Sequence, residues 1–212
     1  MDGVKNIIFD LGGVLINLAR VRCLASFEKL GVKDIRQRVT SDYRHKDLFG
    51  NLELGLITVP EFREGIRHLS GLPMTDEQID EAWISMLGDL PTYRLDLLLE
   101  LRKSYRLFLL SNTNEIHWRW IEKNCFNYKD YHVADFFEKV YLSYELHMQK
   151  PDAEIFEYVL NDAGIYPEES FLVDDARVNC RMAGMMGIRS YAPLPREDWS
   201  HIFVEQEALC AL

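Results

Sequence analysis

Hydrophobic residues along this chain gather in short runs that stop abruptly at small or acidic residues. Val4 to Phe9 ends at Asp10, and Tyr105 to Leu110 ends at Ser111-Asn112-Thr113-Asn114. Lys139 to Leu142 leads into Ser143, Ser170 to Val173 ends at Asp174-Asp175, and Arg189 to Ala192 closes at Pro193. Runs this short, nearly continuous in apolar character and flanked by turn residues, predict buried strands of a parallel sheet. Between them the period lengthens. Pro91 to Lys103 places Leu95, Leu98, Leu99 and Arg102 at helical spacing. Pro151 to Ala163 carries Ile155, Phe156, Val159 and Leu160, with Pro151 read in the first turn and Gly164 at the stop. Alternating strand and helix predict an α/β fold with right-handed crossovers.

The stretch from Leu18 to Gly88 shows no strand pattern. Thr58-Val59-Pro60-Glu61 and Thr75-Asp76-Glu77-Gln78 both fit the capping box, and the second leads into Ile79, Ala82, Trp83 and Met86 at helical spacing. The predicted organisation is an α/β core from residues 1–17 and 88–212, with an all-helical cap, 18–87, inserted after the first strand.

Composition narrows the function. With 24 Lys and Arg against 34 Asp and Glu, the 212-residue chain carries a net charge of −10. That field repels phosphate backbones and anionic membrane surfaces, so neither nucleic acid nor membrane is an expected partner. No apolar run approaches the roughly 20 residues that span a bilayer. The N-terminal apolar stretch is too short, and wrongly flanked, for a signal peptide. Cys23, Cys125, Cys180 and Cys210 stand apart without a C-x-x-C pair, the pattern of reduced thiols in a cytoplasmic protein. The Arg44-His45-Lys46 cluster is read as a solvated face. No motif fixes an oligomeric state.

In open α/β sheets ligands bind beyond the carboxyl ends of the strands, so the residues that terminate strands are the ones to inspect. These are Asp10 before Leu11-Gly12-Gly13, Ser111 before Asn112, Lys150 in Met148-Gln149-Lys150-Pro151, and Asp174-Asp175. Each has an ordinary structural reading: a turn residue at Asp10, a helix N-cap at Ser111, Asn112 or Asp174-Asp175, a solvated cation at Lys150. Taken together they suit phosphoryl transfer. An aspartate can attack phosphorus and divide one difficult transfer into two easier ones. Three carboxylates against one lysine leave two negative charges facing a dianionic phosphate. Mg2+ brings the balance to zero, and carboxylate oxygens are the ligands it prefers. Ser111 and the backbone N–H groups after it can hold phosphoryl oxygens.

These segments resemble the haloacid dehalogenase-like superfamily. The matching loops are Phe9-Asp10-Leu11-Gly12-Gly13-Val14-Leu15, Leu110-Ser111-Asn112-Thr113, Lys150-Pro151 and Val173-Asp174-Asp175. The resemblance covers the whole chain. Glu53-Leu54-Gly55-Leu56-Ile57-Thr58 resembles a segment near the substrate-facing loop of the cap, and Asn17, Glu53 and the residues of the 40s are expected to select the substrate. Within the superfamily the opening Phe9 to Val14, Leu110 to Asn114, and Met148 to Phe156 look closest to bacterial α-D-glucose-1-phosphate phosphatases. The resemblance implies a Rossmann-like parallel core with a helical cap. It also implies Asp10 as nucleophile and metal ligand, Ser111 and Asn112 as phosphoryl binders, and Lys150 fixing nucleophile and phosphate. Asp174 and Asp175, with the Gly12 carbonyl, would hold Mg2+. The expected partner is a small phosphorylated metabolite, such as glucose 1-phosphate.

The chain departs from the family pattern at one position. Typical members carry a second Asp two places after the nucleophile, as acid for the leaving group and base for water; here that place is Gly12. Positioned acid–base groups contribute about 10²–10⁴-fold. The gap admits a second reading, a phosphometabolite-binding protein without turnover. A third, metal-independent dehalogenation of a haloacid, is disfavoured by the Asp174-Asp175 pair, which would repel an anionic substrate.

Overall fold

The structure, a computed structural model, describes residues 2–36 and 47–204. Each of the five apolar runs becomes a strand: β1 Asn6–Phe9, β2 Arg106–Ser111, β3 Lys139–Leu142, β4 Ser170–Val173 and β5 Arg189–Tyr191. All neighbours are parallel, in the order β3-β2-β1-β4-β5. The runs are continuous rather than alternating because helices cover both faces. Ile7, Phe9, Leu107 and Leu109 enter one hydrophobic cluster, and Ile8, Phe108, Leu110 and Leu172 enter another. Neighbouring residues thus feed opposite layers. The chain winds outward from β1 through β2 to β3, then returns to the other side of β1 for β4 and β5. The order reverses between β1 and β4, which makes that crevice the expected place for a ligand.

Between β1 and β2 the chain forms the helices Arg20–Lys29, Leu48–Glu53, Val59–Ser70 and Asp76–Ile84. They surround a cluster of their own, with Cys23, Phe27, Phe49, Phe62, Ile66, Ile79 and Trp83 buried, joined by Ile116 from the helix Glu115–Asn124. Both capping boxes form, at Thr58 with Glu61 and at Thr75 with Gln78. Arg63 grips Asp80 with two nitrogens, at 3.0 and 2.6 Å, locking the third of these helices to the fourth. The outgoing and returning connections lie side by side, bridged at Leu18 and Leu87, with Gly88 N–H donating to Asn17 O at 2.7 Å. That pairing corrects the reach assigned to the last helix. Met86 falls beyond its end at Ile84 because the Met86 carbonyl accepts from Ala19 N–H at 2.7 Å as the chain turns home.

Pro151 is also displaced from its expected first-turn position. The helix begins at Ala153, after a turn closed by Asp152 N–H to Gln149 O at 3.0 Å, and the Lys150–Pro151 peptide is cis. The loop that follows β1 is braced from afar. Arg94, buried in the helix Thr92–Leu101, donates to Leu15 O at 2.9 Å and to Glu197 O at 3.3 Å. Trp199 Nε1 donates to Val14 O at 3.0 Å. Cys23, Cys125 and Cys180 are free thiols. Cys210 and Arg44-His45-Lys46 lie outside the described residues. Among the described residues no helix is long and apolar enough to cross a membrane.

Candidate active site

Beyond the carboxyl ends of β1, β2 and β4 the strand-terminating residues meet. Asp10 N–H continues the sheet by donating to Val173 O at 2.8 Å, which sets its side chain beside β4. Lys150, fully buried, sends its ammonium between the acids: 2.8 Å to Asp10 Oδ1, 2.6 Å to Asp174 Oδ2 and 2.8 Å to Leu110 O. All three of its protons thus find protein acceptors. The Asn112 side chain holds the same residue by its backbone, donating to Lys150 O at 2.8 Å and accepting from Lys150 N–H at 2.9 Å. Asp174 also accepts from Ala176 N–H at 2.9 Å and from Asn179 Nδ2 at 3.0 Å.

Asp175 is the open member of the acidic set. One oxygen from each of Asp10, Asp174 and Asp175 lies within 4.8 Å of the others. Gly13 faces Asp175 at φ +82°, and a Cβ there would stand 2.3 Å from Asp175 Oδ2. Only glycine meets both conditions. This clustered, oxygen-only donor set fits a hard divalent cation such as Mg2+.

Electrostatics follow from burial. Desolvation raises the Asp10 carboxyl, opposed by the charge of Lys150 and reinforced by Asp174. Burial and the neighbouring Asp174 raise Asp175. For Lys150, burial works against the charged form, yet Asp10 and Asp174 outweigh it and the lysine stays protonated. The cluster is therefore short of positive charge even with Lys150 in place.

A cavity of about 270 Å³ lies between this sheet end and the helical segment. Asp10, Gly12, Ser111, Asn112 and Asp175 line one side; Arg20, Phe49, Glu53 and Trp83 line the other. Burial, with help from Asp47 and against Arg20, pushes the Glu53 carboxyl up to about 7. His117, buried and stacked on Trp83 at 4.5 Å, is pushed down to about 4 by desolvation, against its bond to Trp83 O at 3.0 Å.

The residues picked from the sequence thus converge, with duties more finely divided than the sequence suggested. Asn112 both lines the cavity and grips the Lys150 backbone, while Ser111, buried at the end of β2, lines the cavity beside it. The N-cap duty that Ser111 or Asn112 could have held belongs to Asn114, which accepts from His117 N–H at 3.1 Å. Sequence reasoning passed over Asn179 and Ser143. Asn179 is a buried polar residue in the first turn after the Asp pair, a placement that could have flagged it. Ser143 begins the turn after β3 and carries no comparable signal.

Comparison with known proteins agrees with this arrangement. The family description "haloacid dehalogenase-like hydrolase" matches residues 4–187. A D-ribitol-5-phosphate phosphatase of Bacteroides thetaiotaomicron is 35% identical over 196 residues, covering 92% of this chain and 95% of the relative. The crystal structure of a haloacid dehalogenase family enzyme from the same organism, in complex with magnesium and inorganic phosphate, superposes with a TM-score of 0.89 at 52% identity. That match covers 94% of this chain and 99% of the other. A predicted hydrolase of the same family from Porphyromonas gingivalis gives a TM-score of 0.87 at 33% identity, covering 98% of both chains. Motifs, sheet topology and near full-length similarity agree, and the chain belongs to the haloacid dehalogenase-like hydrolases.

Proposed function

We propose that this protein is a Mg2+-dependent phosphatase of a small sugar or sugar-alcohol phosphate, working through an aspartyl-phosphate on Asp10. The observation that carries the reading is the Lys150 ammonium held between Asp10 and Asp174 at the reversal of strand order, with Asp175 open beside them. Support for the phosphate chemistry comes from the relatives, one named for ribitol 5-phosphate and one crystallised with magnesium and inorganic phosphate.

Each side chain then has a task. Asp10 Oδ attacks phosphorus and the bond to the sugar oxygen breaks; water later attacks the acyl-phosphate and frees Asp10. Lys150 keeps Asp10 oriented and partly neutralised. Ser111 and the N–H groups of its loop are placed to donate to phosphoryl oxygens. Asp10, Asp175 and the Gly12 carbonyl would hold Mg2+, while Asp174 is occupied by Lys150, Asn179 and Ala176. The ion supplies positive charge that lets a phosphate dianion approach these carboxylates. The helical segment acts as the cap, its Phe49, Glu53 and Trp83 walling a cavity of about 270 Å³, just below the roughly 300–1,000 Å³ common for ligand sites. That size suits a small metabolite.

The position of the phosphate on the sugar depends on how the leaving oxygen is protonated. With Gly12 supplying no acid, an anomeric ester such as glucose 1-phosphate is the easier substrate, since its ring oxygen makes the leaving hydroxyl less basic. Ribitol 5-phosphate carries its phosphate on a primary alcohol. A paired assay of the two with Mg2+, alongside Asp10→Asn, tests the proposal. Metal-dependent phosphate release in the parent and loss of at least about 10³-fold in the variant, with an unchanged thermal midpoint, is expected. Turnover retained by Asp10→Asn would rule out covalent catalysis at this residue.

A further inference from the structure

We propose that Glu53 is the acid–base group of this site, standing in for the carboxylate absent at Gly12; the assignment rests on the phosphatase reading above. Glu53 ends the helix Leu48–Glu53 and lines the same cavity as Asp10, Gly12 and Ser111, from the opposite wall. Its backbone is fastened to the core. The Ser143 hydroxyl accepts from Thr113 N–H at 3.0 Å and donates to Glu53 O at 2.6 Å, so one hydroxyl ties the Ser111-Asn112-Thr113 loop to Glu53. The next two residues dock as well. His147 Nδ1 bonds Leu54 O at 2.9 Å, and Gly55, at φ +63°, passes so close that a Cβ would meet Tyr144 O at 2.1 Å. Glu53 is therefore held in register with the loop expected to carry the phosphoryl group. Its carboxylate has no hydrogen bond to any described side chain, which leaves it available to a ligand.

The proton count closes. As Asp10 attacks and the P–O bond breaks, the Glu53 carboxyl gives its proton to the departing sugar oxygen and becomes a carboxylate. When water attacks the acyl-phosphate, that carboxylate takes the proton back. A group that must be acid, then base, works best with a pKa near the working pH. Desolvation and the Asp47 carboxylate, fixed at its own helix start by Gly50 N–H at 2.8 Å, favour the protonated form, while Arg20 opposes them. Among the described residues the other titratable groups around the cavity include His117 on its wall, His147 behind Leu54, and Asp10 and Asp175 opposite. Gly12 and Glu53 then become complementary: the acid has moved from the nucleophile's loop to the helical wall, and a primary oxygen can depart as the neutral alcohol.

The test compares Glu53→Gln with the parent on two esters at saturating Mg2+, p-nitrophenyl phosphate and ribitol 5-phosphate. p-Nitrophenolate leaves without a proton; the ribitol oxygen does not. The expected kcat/KM loss is about 10²–10³-fold on ribitol 5-phosphate and under about 5-fold on the aryl ester. The parent's fall in ribitol 5-phosphate hydrolysis above about pH 7 should vanish in the variant. Because both esters are read on one preparation, partial loss of folded enzyme cancels in their ratio. Adding Gly12→Asp to Glu53→Gln should recover the ribitol reaction at least about 10-fold; the nearest atom to the new Cβ is Leu18 Cδ1 at 3.3 Å, at the end of a flexible side chain. Equal losses on both esters, or no loss on either, overturn the role of Glu53 while the phosphatase reading stands. A parent inert toward both esters overturns both.

Discussion

The two walls of the cavity are built on opposite terms. On the sheet side nearly every polar atom is tied down: Lys150 makes three side-chain bonds, Asp174 accepts from Lys150, Asn179 and Ala176, and Asn112 clasps the Lys150 backbone twice. On the helical side the cavity is walled by Phe49, Trp83 and Glu53, and Trp83 Nε1 is buried without a partner among the described residues. On the sheet side Asn179 Oδ1 is the exception, buried without a partner among the described residues, and a network bonded this densely holds one geometry, as chemistry at phosphorus requires. A wall with unpaired donors and acids binds whatever pairs them, which is how specificity is built. On the reading proposed above, the nucleophile and the metal-binding carboxylates sit at the sheet end, while the helices bring the acid and the contacts that choose the substrate.

Removing a member of the bonded wall should have the largest effect. Lys150→Ala strands Asp10 and Asp174 in a buried site, and breaking such a pair costs about 3–5 kcal/mol. The expected outcome is a marked drop in urea midpoint together with loss of turnover. Unchanged stability would mean that the two aspartates are already solvated or protonated.

His117 sharpens the contrast from between the walls. It is neutral when folded, titrating at about 4 against an ordinary 6.5. The unfolded chain therefore takes up this proton at a higher pH than the folded one, and stability is lost as pH falls from 6.5 towards 4. Over that window the parent should lose up to about 3 kcal/mol more than His117→Phe in paired denaturation curves, the equivalent of the two-to-three-unit shift. Parallel curves would place His117 in contact with water.

Ser143→Ala probes the strap between the walls and should have the smallest effect on folding. It leaves the buried Thr113 N–H unpaired, a cost of about 1–3 kcal/mol. Turnover of ribitol 5-phosphate should fall further than that of p-nitrophenyl phosphate, since Glu53 loses its anchor while Asp10 keeps Lys150. An equal fall for both esters would sever Ser143 from Glu53.

The same contrast explains what could be read in the sequence. The central strands were legible because a buried parallel strand is a local statement: Ile7-Ile8-Phe9 or Leu107 to Leu110 must be apolar throughout to serve two faces, whereas the edge strand Arg189–Tyr191 was marked by its closing Pro193. Asp10, Ser111, Lys150 and Asp174-Asp175 were legible because each ends such a run or precedes a helix. Both capping boxes, also local, formed as read. What stayed hidden depends on distant pairings. Nothing near Ser143 announces that its hydroxyl will bridge Thr113 and Glu53, 30 and 90 residues away. The resemblance implied a phosphoryl contact for Asn112, but its clasp on the Lys150 backbone appears only once the fold brings the two loops together. The end of the last insert helix was misplaced because Met86 is claimed by Ala19, a partner from the other side of the segment.

The brace on the loop after β1 ties the distant end of the described chain to the loop of the proposed nucleophile. Trp199, through Val14, and the Glu197 carbonyl, through Arg94 and Leu15, fix the turn that carries Gly12 and Gly13 away from the nucleophile. Residues 194–204 follow the last strand, yet Trp199 and Phe203 pack on Phe9 and form a wedge behind Asp10. Shortening the protein there would act on catalysis much as an injury to the Asp10 loop itself.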